Sequence, residues 1–467
     1  MKKEEEKNLS ILPMAKEFMM RYGETTIENR ALPDYRDGCK PVHRRLLYSA
    51  YTMNNNYNSP FIKSARLVGQ CVGVFHPQGD SGVYGALGTL VNLPEQLFEG
   101  HGNWGSPDGD APAAPRYTEC RLSKYSNNYL LNRDYMAIVP TVDNFDGTTT
   151  EPVYLPSKLP GVLLSGAEGI AMGCTTLIPT FSRESVINLV KQSLKNKKGC
   201  TPEMCLNTLE FKFSYGGINN NDDNTLLEYY KTGEGKLNFI PEVEITKKGH
   251  IIVTTLTPRL KPSQIYDTIL EKEKSAVRDC KNIHGKGCSY WAEIIPKGKL
   301  SPKELKQLAK KIQNDYSTNL SCKTLVTERQ DDGENVKFMR TNIPQIVNMW
   351  IDWRLSLEKK VVERLIRLEE EKKQRLLWLI WAIDHLEIIF KALKSKDPDF
   401  FLIKKGKITE EHAKYILDGV VRRLSKLSKS ETQGKIKICE KIIKEYKNSI
   451  ATRKDIAKRI YKDLNKF

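Results

Sequence analysis

Two apolar seams in the last third of the chain restrict the folds open to it. Leu357, Val361, Leu365 and Leu368 step by four, four and three residues. Further on, Ile443, Tyr446, Ile450, Arg453, Ala457, Ile460 and Leu464 alternate three and four, with Arg453 alone interrupting. That spacing belongs to helices that bury one stripe along a partner helix. From about residue 340 the sequence is helical and highly charged, and Pro398 falls between the seams rather than in either. The pattern predicts a long antiparallel coiled coil over 339–467 with a compact helical tip at about 378–428. A plain helical bundle is the alternative.

Upstream the spacing changes. Ile11, Met14, Phe18, Met19 and Ile27 make residues 1–29 a helical arm, or else a core-packing helix. Arg30–Gly38 is a charged turn, after which Pro41 can open a helix because its missing N–H costs nothing there. Val42, Leu46, Leu47 and Ala50 form one stripe of that helix and leave Lys40, Arg44 and Arg45 to point elsewhere. Leu67, Val68, Cys71 and Val72 mark a second short helix within 64–74. The turn His76–Ser81 follows, with Asp80 or Ser81 as a cap for a third helix. Val83, Ala86, Leu87, Leu90 and Val91 give that helix a clean apolar face. Gly82, Gly85 and Gly88 lie off the face, each costing about 1 kcal/mol relative to Ala. Close approach of another backbone is the reason expected for them. Three short helices of this kind resemble a helix-turn-helix unit. Gly100–Asp110 is too rich in turn formers for a regular element and reads as a wing leading to Arg116-Tyr117. Residues 118–135 read as helical again, and Asp143–Gly147 as a turn.

Between about 150 and 335 the pattern is mixed α/β. Val162–Leu164, Phe211–Phe213, Lys236–Ile245 and Gly249–Thr255 read as strands, and 183–195, 262–274 and 302–314 as helices. Four glycines within Gly161–Gly173 imply backbone held tightly against something.

Composition narrows the partner. With 74 basic against 57 acidic residues the net charge is +17, which favours a polyanion, nucleic acid ahead of a membrane surface. A generally solvated basic surface is the bland alternative. Ten cysteines occur singly without a CxxC pair, which argues against a zinc site or disulfide framework and fits reduced thiols in a cytoplasm. The start lacks the apolar core of a signal peptide, and no run of about 18 apolar residues is present. Gly285-Lys286-Gly287 is too short for a phosphate-binding loop, so the chain is not expected to hydrolyse ATP itself. Asp222-Asp223 and Asp331-Asp332 read as solvated loop residues rather than metal ligands.

A nucleophile remains to be found. A tyrosine hydroxyl, with a pKa of about 10, is a poor nucleophile at neutral pH until a cation or base assists it. Arg116 directly before Tyr117 supplies such a cation. The surrounding motifs give the pair its context. Residues 30–45, from Arg30-Ala-Leu-Pro-Asp-Tyr-Arg to Lys40-Pro-Val-His43-Arg44-Arg45, resemble the breakage–reunion subunit of type IIA DNA topoisomerases. So do Lys63-Ser-Ala-Arg66, His76–Ser81, Gly102–Ser106, Asp108–Asp110, Ala114–Glu119, Leu159-Pro160, Gly169–Gly173 and Ile178-Pro179. Weaker matches are Tyr230–Gly235 and Ile408–Asp418.

The resemblance to this gyrase A and topoisomerase IV A group implies an α+β multidomain chain. It would comprise a winged-helix DNA-gate domain (30–148), a tower (149–338), and a coiled coil carrying a helical dimerisation gate. It implies an ATP-dependent topoisomerase (EC 5.6.2.2), in which Tyr117 forms a 5′-phosphotyrosyl link while Arg116 and Arg30 neutralise the scissile phosphate. Lys40, His43, Arg44, Arg45, Lys63, Arg66 and Ser81 would contact the DNA backbone, and Ile178 would wedge between base pairs. Magnesium and ATP would both be bound by a partner subunit, against which residues 1–29 would lie, and this chain alone would bind neither. Two copies of this chain would pair through the DNA gate and the dimerisation gate.

Two departures stand out. Gln78 occupies a place where the family has a second histidine, leaving His76 or Gln78 as catalytic support. Gly85 stands where bacterial enzymes place an acid, which would weaken the metal–water bridge to quinolones. With no wrapping propeller after the coil, relaxation and decatenation without negative supercoiling are expected. Size and lysine content most resemble the T-even-type phage enzyme, which would place the protein in a host cytoplasm. A dimeric, non-enzymatic architectural DNA-binding protein is the competing reading, and it would need neither Arg116 nor Tyr117.

Overall fold

Helix α1 (Ile11–Thr26) turns its large apolar residues outward: Phe18, Met19, Met20 and Tyr22 are 57–65% exposed. A core-packing role for this helix is therefore excluded. The computed structural model describes residues 11–282, 290–420 and 429–466. The first ten residues of the arm, Gly285–Gly287, Cys288 and tip residues 421–428 lie outside the described residues. The chain divides into two compact units, one ending at Trp353 and the other beginning at Arg354.

In the first unit, α2 (Pro41–Thr52) starts on its proline and buries Leu46, Leu47 and Ala50. Strand β1 (Ile62–Lys63) leads into α3 (Ser64–Val74), and α4 (Asp80–Val91) follows. Strands β2 (Phe98–His101) and β3 (Glu119–Leu122) then form a hairpin, and β1 joins it in the order β1-β3-β2. Residues 119–122 are thus strand, not helix. Cys120 and Leu122 are fully buried while Glu119 and Arg121 stay half-exposed, the two-residue period of a strand with one face on the core. Helical turns begin only at residue 124, continuing through Ser126–Leu130, with Arg133–Met136 after them.

The glycines of α4 do not pack against another backbone of this chain. A methyl group at Gly82 or Gly85 would meet nothing within 4 Å, and one at Gly88 only the Pro112 ring. The tight approach lies instead in the later glycines. A methyl at Gly161 would strike the Asp37 carbonyl, and one at Gly169 the Ala31 carbonyl. These contacts press residues 161–169 against the Arg30–Gly38 turn.

The mixed region holds a five-stranded sheet containing the hairpin Ala167–Ala171/Cys174–Ile178. A four-stranded sheet packs against helices Pro262–Lys272 and Pro302–Asp315 around Ile251, Ile265, Ile294 and Ile312. Val162–Leu164 forms a helical turn, since a short, wholly buried apolar run suits helix as well as strand. Phe211 makes only an isolated bridge to Phe181, and ring packing onto Phe181 and Phe239 holds this stretch in place of a ladder. No disulfide links the nine described cysteines, although Cys200 and Cys205 bring their sulfurs to 3.6 Å.

The long helix Ile343–Asp384 runs into the second unit. There Leu357 and Val361 are buried as the spacing predicts. Val362 and Ile366, however, cluster with Ile443, Tyr446 and Ile450 while Leu365 is half-buried and Leu368 is 42% exposed, so the seam shifts by one position only in its later part. The interruption at Arg453 is a break between two helices. Lys429–Ser449 ends, and the Thr452 side chain caps a new helix, Arg453–Leu464. Helices Leu386–Leu393, Pro398–Gly406 and Glu410–Tyr415 pack at the far end around Ala382, Ile389, Leu402 and Ala413. Among the described residues, no helix is long and apolar enough to cross a membrane.

Candidate active site

Tyr117 sits in the β2–β3 connection and is 64% exposed. The Arg116 guanidinium carbon lies 4.6 Å from the ring centroid, so one cation accompanies one solvent-facing phenol. The backbone beneath is fixed on several sides. The Tyr117 N–H donates to Ala114 O at 2.8 Å, closing a turn. From the start of α3, the Ser64 N–H donates to Thr118 O at 3.0 Å and the Ala65 N–H to Pro115 O at 3.1 Å. These are first-turn N–H groups that have no partner within their own helix.

Tyr84 of α4 adds the third support. Its hydroxyl donates to Ala113 O at 2.5 Å and lies 2.8 Å from Thr118 Oγ1, which is 2.9 Å from Ser64 Oγ. Thr118 is fully buried. Tyr84 therefore grips the chain on both sides of the Arg116–Tyr117 pair. Sequence reading missed this role of Tyr84. Ser64 and Thr118 lie within quoted motifs, but Tyr84 reads only as a half-polar residue on an apolar helix.

The Arg30–Gly38 turn is held by two buried ion pairs. Arg36 contacts Asp34 at 2.9 and 2.7 Å and lies 3.8 Å over the Tyr154 ring. Burial alone would raise the Asp34 carboxyl, but Arg36 and Arg44 more than offset it and hold it below its usual range. Asp37 accepts from the Cys39 and Leu155 N–H groups, each at 2.8 Å, and from Arg44 Nε at 2.8 Å. Arg44 is only 6% exposed. The expectation that Arg44 meets a DNA phosphate is therefore corrected, because its charge is spent inside on Asp37. Helical spacing marks a residue off the apolar stripe but does not show that a buried carboxylate awaits it.

The remaining expected residues fall into three groups. Arg45 forms a two-pronged pair with Glu151, 2.7 Å on each prong, and donates to His76 Nδ1 at 3.0 Å. A guanidinium only donates, so this ring nitrogen is the unprotonated one. Burial and Arg45 lower the His76 pKa, partly offset by a hydrogen bond to Gln78, so His76 is neutral near pH 7. Lys40, His43 and Ile178 line one cavity of about 570 Å³. Burial, with Lys40 and Arg44 nearby, pushes the half-buried His43 down to about 3, so it brings no charge to a phosphate at neutral pH. Lys40 donates to Glu168 O at 2.7 Å, and burial lowers its pKa. Ile178 is 2% exposed, at the end of its strand opposite Ala167, so as folded here it does not project as a wedge. The third group faces solvent: Arg30, Arg66 and Ser81 are exposed, and Lys63 is exposed while pairing with Glu119 at 2.9 Å.

The comparisons give this geometry a family context. The family model for the A subunit of DNA gyrase/topoisomerase IV matches residues 30–465. The DNA gyrase A protein of Streptococcus pneumoniae is 31% identical over 462 residues, covering 92% of this chain and 53% of that protein. Its Clostridium acetobutylicum counterpart is 30% identical over 468 residues, covering 96% and 54%. The chloroplastic/mitochondrial gyrase A protein of Arabidopsis thaliana is 30% identical over 471 residues, covering 96% and 48%. The chain spans about half the length of the curated relatives it matches.

Proposed function

The chain belongs to the family of DNA gyrase/topoisomerase IV A subunits, and on that premise we propose that it is the DNA-cleaving and rejoining subunit of a type IIA topoisomerase. The observation that carries the reading is an exposed tyrosine, paired with an exposed arginine, on a backbone clamped by Tyr84, Ser64 and Thr118. Helices α2–α4 and the β2–β3 hairpin are read as a winged-helix unit that lays this pair against a duplex.

In the proposed reaction, Tyr117 Oη forms a bond to phosphorus and the bond to the 3′ oxygen breaks. The phenol gives up its proton and the 3′ oxygen takes one up. Arg116 and Arg30 place positive charge where the phosphate gains negative charge. Reversal by the 3′-hydroxyl reseals the strand. Two such breaks, one per copy of this chain, open a gate for a second duplex, giving relaxation and decatenation. A bend in the DNA would have to draw Ile178 out of its strand end before it could act as a wedge.

Several features support the assembly proposed around this chemistry. The outward apolar residues of α1 suit a surface covered by the ATP-hydrolysing partner subunit. Leu386, Phe390 and Leu393 are 36–58% exposed along one helix and suit pairing of two copies of this chain at a dimerisation gate. The return helices are read as the second strand of an antiparallel coiled coil. Magnesium and ATP are assigned to the partner. Among the described residues, no group of three or more His, Cys, Asp or Glu side chains converges to hold an ion. We infer the separate-chain organisation of the T-even-type phage enzyme. Reconstitution with the partner subunit, magnesium and plasmid DNA, followed by denaturant trapping, tests the reading. Protein linked to 5′ ends supports it, whereas salt-sensitive binding without linkage would leave the architectural alternative standing.

A further inference from the structure

The basic charge does not sit where the cleavage site is. Residues up to Trp353 contain 44 Lys and Arg against 40 Asp and Glu, whereas Arg354 onward contains 30 against 17. The smaller unit, which holds none of the cleavage residues, therefore carries 13 of the 17 net positive charges.

Within that unit the two return helices, Lys429–Ser449 and Arg453–Leu464, hold 11 basic and 5 acidic residues, and the structure sorts them by face. Three of the acids turn toward protein: Glu440 pairs with Lys373 at 2.8 Å, Asp463 with Arg354 at 3.7 Å, and Asp455 accepts from the capping Thr452 at 2.7 Å. Lys437, Lys441 and Lys444 lie opposite the buried Ile436, Cys439 and Ile443. Lys454, Lys458 and Lys462 lie opposite the buried Ile456, Ile460 and Leu464. All six lysines are exposed. Lys458 has Asp455 at 3.5 Å, and the other five form no ion pair among the described residues. Glu431 and Glu445 are the remaining acids of these helices.

At 1.5 Å per residue the stripes are about 10 and 12 Å long. Lys437/Lys441, Lys454/Lys458 and Lys458/Lys462 are four residues apart, a spacing at which like charges repel. A surface made only for solubility would intersperse both signs. These stripes keep an excess of one sign outward, six exposed lysines with exposed Glu445 beside Lys441, at a cost in repulsion, which a polyanion would relieve. Duplex DNA presents one charge per about 1.7 Å of axis, dense enough to meet both stripes without any fixed register.

We propose that the lysine stripes of the two return helices bind the sugar-phosphate backbone of duplex DNA, at a surface separate from the cleavage site. The proposal rests on the reading above only in taking DNA as the polyanion. Because backbone phosphates are the target, binding there is independent of sequence and strongly salt-dependent.

The test uses the full chain with two triple variants, Lys437→Gln/Lys441→Gln/Lys444→Gln and Lys454→Gln/Lys458→Gln/Lys462→Gln. Affinity is measured against salt on a long duplex and on a short duplex just spanning one cleavage site. Each lost phosphate contact changes the log–log salt slope by about 0.9, so each triple variant should flatten the long-duplex slope by about 2.7. Affinity for the short duplex, and covalent capture on it once the partner subunit and magnesium are added, should stay at the wild-type level. Lys→Arg at the same positions keeps the charge and should restore the slope, separating charge from any effect on folding. An unchanged long-duplex slope, or equal weakening on both duplexes, would overturn the proposal. Absence of capture by the unaltered chain reconstituted with the partner subunit and magnesium would count against the cleavage reading while leaving the slope comparison valid.

Discussion

Replacing Tyr84 with Phe removes one oxygen and tests whether the nucleophile is held in place from α4. That hydroxyl joins Ala113 O at 2.5 Å and Thr118 Oγ1 at 2.8 Å, on either side of Arg116–Tyr117. Thr118 keeps its contact with Ser64, whereas the Ala113 carbonyl loses its side-chain donor. Leaving a partly buried acceptor unpaired costs about 1–3 kcal/mol. If the loss falls on the reactive geometry, each 1.36 kcal/mol is tenfold in rate, giving a fall of about five- to 150-fold. The assay is single-turnover covalent capture on a saturating short duplex, alongside DNA affinity and thermal melting. Affinity should stay at the wild-type level, melting should fall by no more than about 2–4 °C, and capture should slow. Thr118→Ser, which keeps its hydroxyl, should retain most activity. Wild-type capture by Tyr84→Phe would refute the positioning argument, as would a loss of capture matched by an equal loss of affinity.

Other perturbations probe other parts of the site. Asp37→Ala strands the buried Arg44 and removes the acceptor for two backbone N–H groups, so denaturant unfolding should show a loss of about 3–5 kcal/mol. His43 is held at about 3 when folded, so the unfolded chain takes up the proton first. Its contribution to stability is present above about pH 6.5 and is lost as the pH falls toward 3, at up to about 1.4 kcal/mol per pH unit. His43→Gln should flatten the acid limb of a stability–pH curve over that window, and an unchanged slope would contradict the assignment. Arg116→Ala should slow capture by about a hundredfold or more, with Arg116→Lys intermediate, at little cost in melting temperature. A side chain at Gly85 meets nothing within 4 Å, so Gly85→Asp should fold normally and raise quinolone-stabilised cleavage; a melting loss or unchanged drug response would argue against this.

Periodicity made the helical elements legible. Of the face read on α4, Val83, Leu87, Leu90 and Val91 are buried, while Ala86 is half-buried and Gly88, read as off the face, is buried too. The site tyrosine was legible because Arg116-Tyr117 lies within a motif. What stayed hidden depends on partners distant in sequence. Arg44 looks like a free cation until Asp37 and the Leu155 N–H meet inside the fold. Strand β3 was read as helix because four residues show too little period, and only pairing with β1 and β2 decides their conformation. The α4 glycines misled because their spacing implies a close neighbour that this chain does not supply, while Gly161 and Gly169 do have one. Tyr84 carries no local signal, since its function lies entirely in where its hydroxyl ends.

Covalent capture by Tyr117→Phe, in the reconstituted complex with magnesium, tests the central claim most directly. DNA binding and its salt dependence should persist while protein linkage to 5′ ends disappears. Linkage surviving in Tyr117→Phe would contradict the account, because the nucleophile would then be another residue.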